Sequence, residues 1–259
     1  MKELHRKAAE MLVFAHVATQ ENENAVHTWW QSLQVMDMHS QRERAKSELE
    51  DSMLVRPYSS CLEKYGESIV VCYSEPTCVY SKRWGRLVVF EGVDEVVVVI
   101  RRHTKFSMAT HNSEWDASAC MHLCIHLTQK YQSETWPTIT VVGWGTACDA
   151  ALGVAKSMCD VVRASQINLW LLAPVVKSTA HVCTNIHRAY ALLHGSDGTC
   201  TPVGGTQEIW LPGIKENRGL LSMDVCCTRS RLTSAEDPCH TLKCYSKGIA
   251  FMLTSRMEV

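Results

Sequence analysis

The residues best placed to do chemistry lie in a short turn near the middle of the chain, Gly143-Trp144-Gly145-Thr146-Ala147. An apolar run, Thr138–Val142, leads into this turn, and a stretch of small residues, Ala147–Val162, follows it. A strand that turns sharply into a helix presents backbone N–H groups and the positive end of the helix dipole. Such a turn can stabilise a negatively charged oxygen, as acyl transfer requires. Gly145, however, has no side chain, so this nucleophile elbow lacks a nucleophile.

Two residues beside the elbow carry nucleophilic atoms, and neither replaces the missing one. Thr146 and Cys148 follow Gly145 closely. Successive positions on a helix differ by about 100° in direction, so these side chains point away from the tip of the turn. A glycine at the tip also accepts the positive φ that strains other residues in such elbows.

Two groups of cysteine and histidine residues suggest metal sites, and neither has a convincing geometry. In the helical segment Cys120–His126, the cysteines share one helix face and the histidines His122 and His126 share the opposite face. Cys226 and Cys227 with Cys239, His240 and Cys244 match no established zinc spacing. We therefore predict no metal and no cofactor, and we interpret most of the 13 cysteines as small buried apolar residues.

The elements that must position the elbow alternate between strands and helices. Strands are predicted at seven segments rich in valine, isoleucine and leucine: Ser68–Tyr73, Arg86–Phe90, Glu95–Ile100, Thr138–Val142, Asn168–Leu172, Ala189–Leu193 and Gln207–Leu211. Helices are predicted at Trp115–Tyr131, Ala147–Val162 and near Thr179–His187. This alternation is typical of an α/β fold with a mostly parallel central sheet flanked by helices.

The chain resembles the class 3, fungal-type lipases among the α/β-hydrolases through several landmarks in order. They are the strand followed by Arg102-His103-Thr104, the elbow, Asn168–Leu172 with Ala173-Pro174, the strand before His194-Gly-Ser-Asp197, the Gly205-Thr-Gln-Glu208-Ile-Trp210 segment, and Asp237-Pro-Cys-His240-Thr-Leu-Lys-Cys-Tyr245. Gly145 stands where that family has its nucleophilic serine. The resemblance implies an α/β-hydrolase-like fold from Pro57 onward.

The resemblance also assigns roles to individual residues. Asp197 and His240 match the aspartate and histidine of the catalytic triad, and Thr104 matches the residue that helps form the oxyanion hole. Thr146, whose N–H follows the nucleophile position, is the second oxyanion-hole candidate. Trp144, next to the elbow tip, is expected to line a pocket. The alternatives are ordinary structural roles, Asp197 as a turn residue and His240 as a surface loop residue.

Composition sets limits on organisation and on partners. With 46% hydrophobic and 20% charged residues, the chain of 259 residues can form one sizeable core. Residues 1–56 are predicted to form an N-terminal helical extension packed on the main domain, and 57–259 the lipase-like domain. The net charge of −1 disfavours nucleic-acid binding, and no apolar run is long enough for a transmembrane segment. We expect a cytoplasmic protein.

The prediction for function is a catalytically inactive, lipase-like α/β-hydrolase fold protein acting in ligand or protein binding. Its expected ligand is a lipid or small ester, and a protein partner would use the N-terminal helices. The alternative is an active lipase or esterase that hydrolyses lipid or short-chain esters with a non-standard nucleophile such as Thr146 or Cys148.

Overall fold

A computed structural model describes residues 2–18, 70–73, 87–91, 95–100, 113–131, 136–161, 166–177, 179–211, 244–245, 248–249 and 252. Its elements in chain order are α1 (Lys2–Ala18), β1 (Val70–Tyr73), β2 (Leu87–Glu91), β3 (Glu95–Ile100), α2 (Ser113–Lys130), β4 (Thr138–Trp144), α3 (Ala147–Val161), β5 (Ile167–Leu172), β6 (Arg188–His194) and β7 (Gln207–Leu211). Near the C-terminus, residues 244, 245, 248, 249 and 252 are helical.

The seven described strands form one sheet in which they follow their order in the sequence. The pairs β1–β2 and β2–β3 are antiparallel, and every pair from β3 to β7 is parallel. All six residues of β3 are buried, as expected for a strand covered on both faces. The predicted α/β class with a mostly parallel sheet is therefore confirmed.

Two apolar layers cover the sheet because alternate side chains of each strand point to opposite faces. One layer contains α1, the C-terminal helical residues Tyr245 and Ile249, and sheet residues such as Phe90 and Trp170. The other layer contains the inner faces of α2 and α3. The sheet thus lies between helices, and its parallel strands end at a common carboxyl edge.

Helix α1 is buried on most of its surface. Ala8, Met11, Leu12 and Ala15 are buried in the core, and Val13 and Phe14 are also nearly inaccessible to solvent. The ring of Phe14 lies 4.8 Å from that of Phe90 on β2. The predicted boundary at residues 56 and 57 lies outside the described residues, so the division into an extension and a domain stays a prediction.

A buried charged contact also joins α1 to the sheet. The Lys7 ammonium lies 2.8 Å from Oε2 of Glu95, the first residue of β3, and Thr140 of β4 donates to Oε1 of Glu95 at 2.6 Å. Burial alone lowers the pKa of Lys7, but the negative charges of Glu95 and Glu10 outweigh it, so the pKa is raised. A buried carboxylate at the start of β3 is thus stabilised by a cation and a hydroxyl group.

The helix predicted near Thr179–His187 does not form. His181 pairs with Gly204 in a parallel bridge, and the N–H of Val182 donates to the carbonyl oxygen of Gly204 at 2.9 Å. Single turns replace the helix, with the N–H of Ile186 donating to Cys183. Tertiary pairing overrides local helix preference here.

In the described part of the chain, no helix combines the length and apolar character needed to cross a membrane.

Candidate site at the carboxyl edge of the sheet

The elbow forms where the sequence predicts it, directly after the end of β4. Gly145 and Thr146 make the turn between Trp144, the last residue of β4, and Ala147, the first of α3. Gly145 has φ of 59°, the left-handed conformation that glycine adopts without a steric penalty. Its N–H donates to the Leu172 carbonyl oxygen at 2.9 Å, and its own carbonyl oxygen accepts from the N–H of Val175 at 3.1 Å. The turn is therefore held by two hydrogen bonds, one to the last residue of β5 and one to the segment that follows it.

Gly143 allows β4 and α3 to approach closely at the elbow. A Cβ atom added at Gly143 would lie 2.8 Å from Cβ of Ala151 and 2.9 Å from Cα of Cys148. Such distances are too short for carbon atoms in contact. The close packing of β4 against α3 therefore needs both the glycine before the turn and the small residues of α3.

The two neighbouring nucleophile candidates differ in exposure. Cys148 is fully buried, and its Sγ lies 3.7 Å from the carbonyl oxygen of Leu172. Burial raises the pKa of Cys148 well above its ordinary value, so its sulfur stays a neutral thiol, which is a poor nucleophile. Thr146 lies in the turn and is exposed.

Asp197 lies in a turn just beyond the carboxyl end of β6. Its N–H donates to the carbonyl oxygen of His194, the last residue of the strand, at 2.9 Å. Although it is charged, Asp197 is only 7% exposed. Its Oδ1 accepts two hydrogen bonds from Thr199, from the backbone N–H at 3.0 Å and from Oγ1 at 2.6 Å. A turn residue this deeply buried needs such donors to offset the loss of water.

The other oxygen of Asp197 faces a thiol and a phenol, and we call Asp197, Cys200 and Tyr245 the carboxylate cluster. Cys200 Sγ donates to Oδ2 at 2.8 Å, and the Tyr245 hydroxyl donates to the same oxygen at 2.9 Å. Cys200 Sγ and the Tyr245 hydroxyl are 2.7 Å apart. The cluster therefore ties the loop after β6 to the C-terminal helical residues.

The thiol and the phenol of the carboxylate cluster stay protonated at neutral pH. Burial and the hydrogen bond to Asp197 raise the pKa of Cys200 to about 12. Burial and the neighbouring Cys200 and Asp197 also raise the pKa of Tyr245 well above its ordinary range. Both groups are thus neutral donors to Asp197 at neutral pH, which makes Cys200 a structural partner rather than a reactive thiolate.

Trp144 connects the elbow with the carboxylate cluster. It is 6% exposed and packs edge-on against Tyr245, with 5.1 Å between ring centroids. The ring of His194 lies 5.5 Å from that of Tyr245. Edge-to-face aromatic pairs of this kind add about 0.5–1.5 kcal/mol beyond their apolar burial. Through Tyr245, the residue before the elbow tip and the candidate triad aspartate belong to one packed unit.

A second unusual backbone conformation lies beside the elbow. Ala173, directly after β5, has φ of 49° and is fully buried. For a residue with a Cβ atom, this left-handed conformation costs about 1–2 kcal/mol. Its N–H donates to the carbonyl oxygen of Leu192 at 2.9 Å, which fixes the turn against β6. The backbone thus turns sharply directly after β4, at Gly145, and directly after β5, at Ala173.

The structure describes some of the predicted site residues and not others. Gly145, Thr146, Trp144 and Asp197 lie at the same edge of the sheet. Thr104 and His240 lie outside the described residues, so their roles stay predictions. Cys200 was not predicted at all, because no local pattern marks it. Tyr245 ends the segment that resembles the histidine region of the lipases, and its position five residues after His240 is the sequence feature that places it near the site.

The helix that carries the first cysteine and histidine group has the predicted distribution of faces. Cys120 and Cys124 are buried against the sheet, whereas His122 is exposed. In the described ranges, no three His, Cys, Asp or Glu side chains are grouped so that they could hold a metal ion. The second group lies outside those ranges except for Cys244, which is buried.

Comparisons with known proteins gave similarity at the level of structure alone. No family model and no curated protein sequence matches the chain. A deletion mutant of the Rhizomucor miehei lipase propeptide complex is similar with a TM-score of 0.43 and 11% identity, over 71% of this chain and 65% of that one. The native complex gives 0.41 and 12%, over 73% and 68%. Rhizomucor miehei triacylglyceride lipase gives 0.39 and 11%, over 73% and 80%.

Proposed function

We propose that this chain is a lipase-like α/β-hydrolase fold protein that has lost catalysis and acts in ligand or protein binding. The ligand class that we favour is a lipid or a small ester. In this proposal Gly145 stands at the position of the nucleophile, Asp197 and His240 at those of the acid and the base, and Thr104 and Thr146 at the oxyanion hole.

The observation that carries the proposal is the conformation of Gly145. It occupies the sharp turn between a central parallel strand and the following helix, with φ of 59°. A nucleophile elbow holds its central residue in a strained turn of this kind. The turn has thus kept its geometry while losing the side-chain oxygen that would attack an ester.

The state of the neighbouring residues supports inactivity. Cys148 is a fully buried thiol, and Cys200 donates its proton to Asp197. Neither sulfur is therefore available as a thiolate at neutral pH. Without a nucleophile, a triad enzyme retains only the rate enhancement due to binding and the oxyanion hole.

The place of the elbow supports ligand binding. Ligands of parallel α/β sheets bind beyond the carboxyl ends of the strands. Next to the elbow lie Trp144, Leu172 and Tyr245, which are buried members of the apolar core, and we propose that an acyl chain packs against the exposed part of Trp144. We propose that the polar head of the ligand occupies the space left by the nucleophile side chain, beside Trp144 and the N–H of Thr146.

Binding of a protein partner is the second possibility that we propose, and the structure of α1 supports it less than the elbow supports ligand binding. Most of α1 lies in the core, and among its described side chains only Glu3 and Arg6 are exposed. A partner would therefore use residues between 19 and 56, which the structure does not describe.

The cytoplasmic location also stays a prediction.

An active esterase remains the alternative function, and the exposed Thr146 is the residue that favours it. The two functions are separated by hydrolysis of a chain-length series of nitrophenyl esters, comparing the wild-type protein with His240→Ala. Inactivity predicts the buffer rate in both samples. A wild-type rate that disappears in His240→Ala would contradict the proposal.

Ligand binding is tested with nitrophenyl alkyl ethers, which resemble the esters and cannot be hydrolysed. Quenching of tryptophan fluorescence reports binding, and chain length should increase affinity. Trp144→Phe should weaken binding about fivefold or more, corresponding to about 1 kcal/mol. Trp210→Phe is the matched control, because Trp210 is 50% exposed on β7. Equal affinities of the two variants would contradict the proposed place of the ligand.

A further inference from the structure

Two histidines lie one helical turn apart on the outward side of α2. His122 is exposed and His126 is half-buried, and both belong to a regular helix of 18 residues. Residues four positions apart on a helix have Cβ atoms about 5–6 Å from each other, and their side chains lean in the same direction along one face. The two imidazole rings can therefore approach a single ion beside the helix.

The cysteines of the same segment do not share that face. Cys120 and Cys124 are buried, together with Leu123, in the apolar layer that α2 forms with the sheet. Their side chains therefore leave the helix on the side opposite to the histidines. The packing of α2 thus excludes a site that combines the cysteines with the histidines, whereas the two histidines together remain accessible from solvent.

We propose that His122 and His126 chelate a divalent transition-metal ion at the surface of α2. Two histidines with this spacing on one helix face are the arrangement that binds zinc in helical metalloprotease motifs. Imidazole nitrogen suits Cu²⁺, Ni²⁺ and Zn²⁺, whereas Mg²⁺ and Ca²⁺ prefer oxygen ligands. Among the three ions that suit nitrogen, Cu²⁺ should bind more tightly than Ni²⁺ or Zn²⁺.

The number of protein ligands determines what kind of site this is. In the part of the chain that the structure describes, no group of three His, Cys, Asp or Glu side chains could hold a metal ion. Structural zinc sites use four protein ligands, and catalytic sites commonly use three. Two histidines leave the other coordination positions to water, so we infer that the metal exchanges readily and is not needed for folding. The site does not depend on the elbow or on the ligand proposed for it.

Metal binding should stabilise the folded protein, because the unfolded chain does not hold the two rings one helical turn apart. With free Ni²⁺ at about 100 times its Kd, the Tm of the full chain should rise by about 5 °C or more. Addition of EDTA should reverse this increase and leave the protein folded. The same concentration of Mg²⁺ should leave the Tm unchanged, since magnesium binds imidazole poorly.

The test is isothermal titration calorimetry of the full chain, without an affinity tag, against nickel chloride. Accessible thiols are first alkylated with iodoacetamide, so that cysteines do not compete for the metal. The wild-type protein should show a tight Ni²⁺ site that His122→Asn/His126→Asn lacks. Substitutions around a metal ligand commonly weaken affinity by about 10–100-fold, and loss of the ligands themselves should weaken it at least as much.

Two matched variants separate chelation from the mere presence of exposed histidines. His126→Asn/Gln129→His keeps two histidines on α2 but places them about 10 Å apart along the helix axis, too far to meet at one ion when both lean the same way. This variant should bind Ni²⁺ as weakly as His122→Asn. His181→Asn/His187→Asn removes two exposed histidines from the β5–β6 connection and should bind like the wild-type protein.

Three results would overturn the proposal. The wild-type protein could show no tight Ni²⁺ site, His122→Asn/His126→Asn could keep the wild-type affinity, or His126→Asn/Gln129→His could bind as tightly as the wild-type protein. Circular dichroism in EDTA establishes that each variant is folded. If the double variant fails to fold, His122→Asn decides, because His122 is exposed and its substitution leaves the core intact.

Discussion

The hydroxyl group of Tyr245 donates a hydrogen bond of 2.9 Å to Oδ2 of Asp197, across 48 positions in the sequence. This bond joins the C-terminal helical residues to the loop after β6. Because the ring of Tyr245 also packs against Trp144, the same residue connects the elbow with the candidate triad aspartate. Tyr245 is therefore central to the site, although it is not one of the residues that would react.

Tyr245→Phe should lower the free energy of unfolding by about 1–3 kcal/mol, since it removes a donor to a buried carboxylate while retaining the ring. Urea unfolding followed by circular dichroism measures this loss. Tyr190→Phe is the control, because Tyr190 stacks on Trp170 through its ring and should change stability little. Equal losses in the two variants would show that the Tyr245 hydroxyl does not stabilise Asp197.

Glycine substitutions should have opposite effects at the elbow and within α3. Gly145→Ala places a Cβ atom at φ of 59° and should destabilise the protein by about 1–2 kcal/mol. Gly153→Ala lies on α3 with open space around the new Cβ atom, so it should stabilise by about 0.5–1 kcal/mol. Thermal or urea unfolding of the two variants tests this. A stabilising Gly145→Ala would contradict the turn described at the elbow.

The Cys200 thiol should make stability depend on pH in the alkaline range. Its pKa is raised from 9.0 to about 12 on folding, so its contribution is complete below pH 9 and is lost as the pH rises toward 12. The wild-type protein should therefore lose stability relative to Cys200→Ser as the pH rises from about 9 toward 12, since serine does not ionise there. Urea unfolding under reducing conditions at several pH values measures the difference. A difference independent of pH would contradict the buried, neutral thiol.

The sequence predicted best the elements that local patterns define. The bounds of β3 and β7 agree with prediction, and β3 stands out because five of its six residues are valine or isoleucine. The turn at Gly145 was also predicted, because two glycines before a small-residue helix leave few other conformations. The helix near Thr179–His187 was wrong, because pairing of His181 with Gly204 depends on the folded chain and not on the local sequence.

The chemistry of the site was predicted less completely than its position. Asp197 was singled out through family resemblance, but its partner Cys200 was not, since a thiol that contacts Tyr245 across 45 positions leaves no local pattern. Trp144 was expected to line a pocket, and in the structure it packs on Tyr245. Aromatic contacts of this kind depend on how distant segments pack, which sequence spacing does not encode.

The most direct test of the central claim is to restore the missing nucleophile. Nitrophenyl ester hydrolysis is measured for Gly145→Ser, with Gly145→Ala as the control for backbone strain and Gly145→Ser/His240→Ala as the control for the proposed base. If Gly145 occupies the nucleophile position, Gly145→Ser should release nitrophenol above the buffer rate, and both controls should not. A folded Gly145→Ser protein no faster than Gly145→Ala would contradict the claim.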